Sequence, residues 1–360
     1  MLLLITLNKY LKTKYGLGLR NILTTTYHVT KIIDFFELPV FKASTDTCIT
    51  VIKNCKQKAE TRYFPIKTLD NLDLSKHTKG NYQKVIKDEN EWKFIDTISE
   101  EILRKLYEDT TSLKDFVKGK IFSGIKTAFN PAFILDGEIL KTLLKSESKK
   151  IIKKYAKSTD IQKYFIKNDN KYFLATGYDL DIKTNYPTAY KYLKQYEKEL
   201  KNRQDKGKYW WNLRACAYYS DIELPKIIYI HTAINHQFYF DIEGRYINNS
   251  CYMIISDNKY LFAFLNSKLF KWFKKIKFVA YGDAAESGRV KLDNNKMVTV
   301  PIKNITSEQQ RQFEASVDKI LSCKRKDQNI DVKDIENNID NLLYKLYGLS
   351  QKEIDTVESN

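Results

Sequence analysis

A chain of 360 residues with 43% hydrophobic content can bury at least one large core, which excludes a disordered polymer, and its length fits two structural units. Lysine and arginine total 61 against 44 acidic residues, a formal charge of +17. That charge favours a polyanion, nucleic acid first, over an acidic protein or a small metabolite, although a lysine-rich, tyrosine-rich composition also follows from AT-rich coding DNA.

The run from Leu2 to Leu7 predicts a buried strand, and Asn8 caps a helix with Leu11, Tyr15, Leu19 and Leu23 on its apolar face. Val29 to Phe35 and Thr47 to Ile52 predict two more strands, joined by a turn around Pro39, so residues 1–55 read as strand, helix, strand, strand. A unit that small cannot cover both faces of its own sheet. Residues 56–96 are polar and lysine-rich and read as a linker with one short strand near Tyr63 to Ile66. Beyond it, Ser99 to Leu106 predicts a helix, Ile121 to Ile125 and Ala132 to Leu135 strands, and Gly137 to Leu144 a helix. Tyr186 to Arg203 predicts one amphipathic helix with Pro187 in its first turn. Strands follow at Lys226 to His231, His236 to Phe240 and Cys251 to Ile255, then an almost wholly apolar helix ending at Lys274. Two helices, Ser307 to Leu321 and Val332 to Tyr347, close the chain as a hairpin.

The absences of motif are informative. A domain that binds S-adenosylmethionine needs a glycine-bearing strand-to-helix turn where backbone approaches the cofactor, and none occurs. Asn130-Pro131-Ala132-Phe133 is one substitution from the Asn-Pro-Pro-Phe pattern of adenine methylation, but it lacks the second proline and no cofactor strand precedes it, so a loop between two short strands is the preferred reading. Glu91-Trp92-Lys93, with Asp70 or Asp73, has nuclease-like spacing. Glu199-Leu200-Lys201 shows that this spacing arises by chance in so lysine-rich a chain. Five cysteines (Cys48, Cys55, Cys216, Cys251, Cys323) have no Cys-x-x-Cys spacing, and His231 and His236, the one close histidine pair, fall on opposite faces of a strand; neither a zinc site nor a disulfide framework is expected. The apolar start is too short for a signal segment and no run approaches the roughly 20 residues of a membrane span, so a cytoplasmic protein without a membrane partner is expected.

Two segments combine charge with aromatic or small residues. The first is Lys206-Gly207-Lys208-Tyr209-Trp210-Trp211-Asn212-Leu213-Arg214, in which cations suit phosphates, Asn212 and Arg214 suit base edges, and the rings supply rigid contact area; Trp210, Trp211 and Leu213 fit a packed core equally well. The second is the glycine-containing loop from Tyr281 to Lys291, which reads as a duplex contact or as a plain hairpin turn.

These residues carry a resemblance. The chain is similar to the C-terminal part of the TaqI-like and type IIG restriction-modification methyltransferases of bacteria. Asn8 to Arg20 resembles the helix beyond the catalytic motif, and Leu38-Pro39-Val40-Phe41 the terminal hairpin of that domain. Ser123 to Leu135 resembles the opening of the recognition domain, usually Gly-Ile-x-Thr-Gly-x-Asn-x-Ala-Phe. Tyr209 to Arg214, Leu265-Asn266-Ser267-Lys268-Leu269, Val300-Pro301-Ile302 and Ile339 to Leu349 match later landmarks. Ala128 stands where a glycine is usual and Pro131 where a polar residue is common, so a differently shaped loop is expected there. The resemblance implies a mixed α/β and α+β chain: the last strands of a Rossmann-like methyltransferase sheet at 1–55, a linker at 56–96, an α+β target-recognition domain at 97–306 and a helix hairpin at 307–360. Double-stranded DNA is the implied partner, with phosphate contacts from Lys126, Arg203, Lys208 and Lys291 and base readout from Asn130, Asn212, Arg214 and Arg289; Thr127, Trp210 and Trp211 complete the surface. It implies no catalytic, cofactor or metal residue in this chain. S-adenosylmethionine and the exocyclic methylation of adenine belong to an upstream methyltransferase half, the second implied partner. The alternative is a complete but divergent methyltransferase or nuclease.

Overall fold

Three apolar runs separated by short connections form the start of a sheet. Strand β1 (Leu2–Leu7) pairs antiparallel with β3 (Thr47–Lys53), from Leu2 opposite Ile52 to Leu7 opposite Thr47, and β3 pairs antiparallel with β2 (His28–Asp34). The computed structural model describes residues 1–11, 13–36, 38–42, 45–56, 59–80, 82–87, 92–278 and 290–359. It divides into two compact units, residues 1–104 with 350–356, and residues 105–349 with 357–360.

In the first unit the segment expected as a linker is part of the sheet. Strand β4 (Arg62–Pro65) runs parallel to β2, and β5 (Gln83–Lys87) and β6 (Trp92–Ile95) follow antiparallel, giving the order β1-β3-β2-β4-β5-β6. The first of them, β4, is the short strand expected near Tyr63 to Ile66; the surrounding polar composition concealed β5 and β6, although Tyr63, Phe64, Trp92 and Ile95 are buried and Val85 and Phe94 half-buried. The continuous helix expected from Asn8 is broken into two single turns, Asn8–Leu11 and Lys14–Gly16, ahead of helix α1 (Leu17–Thr25). Arg20 causes the break: buried in the fold, it donates from Nη1 to the carbonyls of Tyr10 (2.5 Å) and Thr13 (2.8 Å), which an unbroken helix would have spent on its own ladder. Tyr15 and Leu19, assigned to the apolar face, are exposed, whereas Tyr10, Leu11 and Leu23 pack on Val29, Ile32 and Ile52.

The second unit holds two four-stranded sheets over one large core. In the first, Phe238–Asp241, Lys226–Ile230, Cys251–Ile255 and Ile121–Ser123 pair antiparallel in that order. In the second, Tyr246–Ile247 runs parallel to Ile152–Ala156, and Tyr172–Leu174 and Ile134–Leu135 follow antiparallel. A fully buried ion pair joins neighbouring strands of the first sheet: Lys226 Nζ lies 2.6 Å from Asp241 Oδ2, both side chains without solvent exposure, and Arg245 donates its backbone N–H to the same carboxylate at 2.8 Å. Burial pulls the Lys226 ammonium below its ordinary pKa.

Other departures from the sequence reading are local. The Tyr186 to Arg203 helix is two helices, Pro187–Lys194 and Glu197–Lys201. The apolar helix ending near Lys274 is split into Lys259–Leu265 and Lys268–Lys277, because Ser267 caps the second piece by accepting from Phe270 N at 3.1 Å. Only Ile134–Leu135 of the strand expected from Ala132 is extended; Asn130–Phe133 is a single helical turn with Pro131 at its start, where a missing N–H costs nothing. The helix pair Ser307–Lys326 and Lys333–Leu346 is present as read, and a further helix, Gln351–Glu358, was not anticipated.

Candidate nucleic-acid interface

Two of the segments singled out in the sequence, 123–135 and 206–214, are joined by one side chain. Arg203 is 6% exposed, and its guanidinium donates to the carbonyls of Thr127 (2.9 Å), Asn212 (2.7 Å) and Trp210 (2.8 Å) and over the ring of Phe133. Burial lowers its pKa to about 10, which leaves it charged at neutral pH. Arg203 was expected to touch phosphate; its donors are instead committed to main chain inside the fold, and it is corrected to a structural residue.

Asn212 is corrected in the same way. It is fully buried, its Nδ2 donates to the carbonyls of Thr176 (2.8 Å) and Leu180 (3.0 Å), and its Oδ1 accepts from Tyr209 N (2.9 Å), so no hydrogen-bonding group is left to read a base. Trp211 is buried as well, stacked on Tyr209 at 4.7 Å and donating Nε1–H to Leu180 O. Trp210 is half-buried, edge-on to Trp211. Thr127 is buried and donates from Oγ1 to Asn130 Oδ1 at 2.6 Å, fixing the orientation of an exposed Asn130 amide. The core reading of the aromatic run therefore wins for Trp211 and Leu213, and the contact reading survives for Trp210.

Gly207 lets the run lie against residues 177–178. A Cβ there would fall 2.0 Å from Tyr178 O, and Lys208 N donates to that same oxygen while Leu213 N donates to Gly177 O, each at 2.8 Å. Ala128 takes the left-handed conformation, φ +59°, which a glycine adopts without the crowding of a Cβ.

What reaches solvent is cationic. Lys126, Lys208 and Arg214 are exposed. Sequence reasoning overlooked Asp205, which stands between two of them: its Oδ2 accepts from Arg214 Nη1 at 3.4 Å and lies 4.0 Å from Lys126 Nζ. An acidic residue between Arg203 and Lys206 was the available signal. Exposed pairs at such distances contribute roughly 0–1 kcal/mol, so a phosphate oxygen can displace the carboxylate from either cation. Lys291 is half-buried and belongs to a separate two-stranded ladder with Thr232–Ala233. Arg289, most of the Tyr281 to Lys291 loop and Glu91 lie outside the described residues. Asp73 caps the helical turn Leu74–His77.

Among the described residues no three His, Cys, Asp or Glu side chains gather as a metal site, and no helix is long and apolar enough to cross a membrane. The connection leaving β1 turns through Leu7 and Asn8, and Gly16, the first glycine after it, closes on the chain itself, its missing Cβ occupying a point 2.2 Å from Tyr10 O.

Residues 153–302 are similar to the family described as the TaqI-like C-terminal specificity domain. The match includes Arg203, Lys208, Trp210, Trp211, Asn212, Arg214 and Lys291 and begins after Lys126, Thr127 and Asn130. A solved structure of the type IIL restriction-modification enzyme MmeI in complex with DNA is similar over 98% of this chain and 48% of that one, with a TM-score of 0.53 and 13% identity. The type IIG restriction endonuclease BpuSI matches over 95% of this chain and 47% of its own, with a TM-score of 0.40 and 15% identity. The present chain thus spans about half the length of the two enzymes it resembles. The MmeI likeness establishes a shared fold.

Proposed function

We propose that this chain is the target-recognition part of an adenine-specific restriction-modification methyltransferase, binding duplex DNA in a sequence-dependent way and not catalytic alone. The observation that carries the reading is the joining of 123–131 to 203–214 by Arg203 within a chain whose residues 153–302 match a specificity domain: the joined loops present Lys126, Asn130, Lys208, Trp210 and Arg214 at the surface of a +17 chain. Lys126 and Lys208 are the phosphate contacts, and Asn130 and Arg214 the base readers, since an amide suits adenine N6/N7 and a guanidinium guanine O6/N7. Lys291 and Arg289 are a second contact region. S-adenosylmethionine and the transfer of methyl to the exocyclic amine of adenine reside in a separate methyltransferase half, a reading supported by the connection after β1, whose first glycine, Gly16, closes on Tyr10 and not on an open cofactor turn.

The test is selection from a pool of duplexes with a randomised centre, followed by binding titrations of the recovered sequence at several salt concentrations. A single enriched motif, bound with a steep inverse dependence on salt, supports the reading. Recovery of unenriched DNA, or binding insensitive to salt, rejects it.

A further inference from the structure

A carboxylate stands among the exposed cations of the candidate interface. Asp205 Oδ2 accepts from Arg214 Nη1 at 3.4 Å and lies 4.0 Å from Lys126 Nζ, and the three side chains are between 45% and 56% exposed. Exposed pairs of that length add little to stability, and a carboxylate repels the phosphates that its neighbours attract, so neither folding nor phosphate binding accounts for it. What the pair leaves open is specific. Asp205 Oδ1 accepts no hydrogen bond among the described residues, and Arg214 donates to Asp205 from Nη1 alone. Its Nε and Nη2, the two N–H groups along one edge of the guanidinium plane, have no hydrogen-bond partner among those residues. The backbone of Arg214 is anchored, its carbonyl accepting from the Tyr219 hydroxyl at 2.7 Å.

An edge with two donors beside an acceptor is the complement of one kind of base pair. In the major groove a G·C pair shows two adjacent acceptors, guanine N7 and O6, followed by the N4–H donor of cytosine, whereas an A·T pair alternates acceptor, donor and acceptor and ends in a methyl group. The Nε and Nη2 edge spans two adjacent acceptors, which only guanine offers, and a carboxylate beside it meets the amine of the paired cytosine. We infer that Asp205 and Arg214 act as one unit that reads a single G·C pair, Arg214 on guanine and Asp205 on cytosine. The Nη1 contact fixes which edge of the guanidinium is left for the base, and Asp205 is a specificity-determining residue in its own right. The inference rests on the proposed function, which brings duplex DNA to this surface, and adds to it the base pair that is read and the residue that reads its second member.

The experiment takes the motif recovered by duplex selection with the full chain and replaces its G·C pairs one at a time with two analogues. One is 7-deazaguanine opposite cytosine, which lacks the N7 acceptor; the other is guanine opposite N4-methylcytosine, whose methyl group takes the place of the major-groove N–H. Titrations compare the wild type with Arg214→Ala and Asp205→Ala, two exposed substitutions whose thermal melts match the wild type. At one pair the wild type loses about fivefold or more with either analogue. Arg214→Ala is insensitive to 7-deazaguanine at that pair, and Asp205→Ala is insensitive to N4-methylcytosine there while binding scrambled duplex more tightly. An Asp205 that only tempers charge shifts the affinity for every duplex and leaves the methylcytosine penalty in place, which overturns the inference. Sensitivities that fall on two different pairs overturn it as well, as does a motif without a G·C pair. Absence of any enriched motif rejects the proposed function itself, and that result appears before any analogue is tested.

Discussion

Arg203 donates to the carbonyl of Thr127 at 2.9 Å across 76 positions of sequence, and this contact holds the two halves of the candidate interface together. Arg203→Ala strands three buried or half-buried carbonyls that had a charged donor. The expected cost is about 3 kcal/mol or more, read as a lowered denaturation midpoint, with affinity for every duplex falling in parallel. Arg203→Lys does not restore the midpoint, because one ammonium cannot span the three acceptors in a plane. A variant with wild-type stability that loses only DNA binding would return Arg203 to the phosphate-contacting role assigned from sequence.

Among the exposed cations, the expected consequences separate by role. Lys126→Ala and Lys208→Ala weaken binding to selected and scrambled duplexes alike, each reducing the salt dependence by about one ion. Arg214→Ala relaxes the selected motif at one position, costing about 1–3 kcal/mol of discrimination. Asp205→Asn strengthens binding to scrambled duplex, since it frees both cations of their carboxylate neighbour. Competition titrations on the four variants check this, and identical profiles for lysine and arginine variants would falsify the division.

Ala128 is held at φ +59°, where a Cβ crowds the backbone by roughly 1–2 kcal/mol. Ala128→Gly relieves that strain at some entropic cost, so a net gain of up to about 1 kcal/mol in unfolding free energy is expected by chemical denaturation. A loss would mean that the loop does not need the left-handed turn.

Asp340, buried and accepting from Lys268 N at 2.9 Å, has its carboxyl pushed up from 3.8 to about 6, chiefly by burial. A raised acid pKa means that the folded state holds a proton which the unfolded chain releases, so its contribution to stability is fully present below 3.8 and lost as pH rises to 6. Asp340→Asn removes this dependence. Relative to wild type, the variant gains stability between pH 4 and pH 6 and keeps the gain at pH 7, measured by paired thermal melts. A difference that stays flat across that window rejects the assignment.

The apolar strands and long helices were legible because period two and period 3.6 patterns survive in Leu2–Leu7, Thr47–Lys53, Cys251–Ile255 and Lys333–Leu346. Strand β4 was read near Tyr63, but β5 and β6 were not, since short strands with a few anchoring aromatics look like a polar linker until Trp92 is seen buried. Breaks in helices were missed where a side chain from elsewhere claimed the backbone, as Arg20 does at Tyr10. At the candidate interface the sequence pointed to segments that the structure brings together, but it did not separate their buried residues from their exposed ones. Arginine and asparagine are equally good at contacting nucleic acid and at satisfying buried carbonyls, and only burial separates Arg203 and Asn212 from Arg214 and Asn130.

The groups that Arg203 engages are main-chain oxygens, present whichever amino acid occupies positions 127, 210 or 212. The brace is therefore indifferent to the identity of its neighbours. Under the proposed function, exchanging the exposed side chains at 126, 130, 208 and 214 would alter what the surface recognises while the frame beneath keeps its shape, as if a few letters were rewritten on a fixed page.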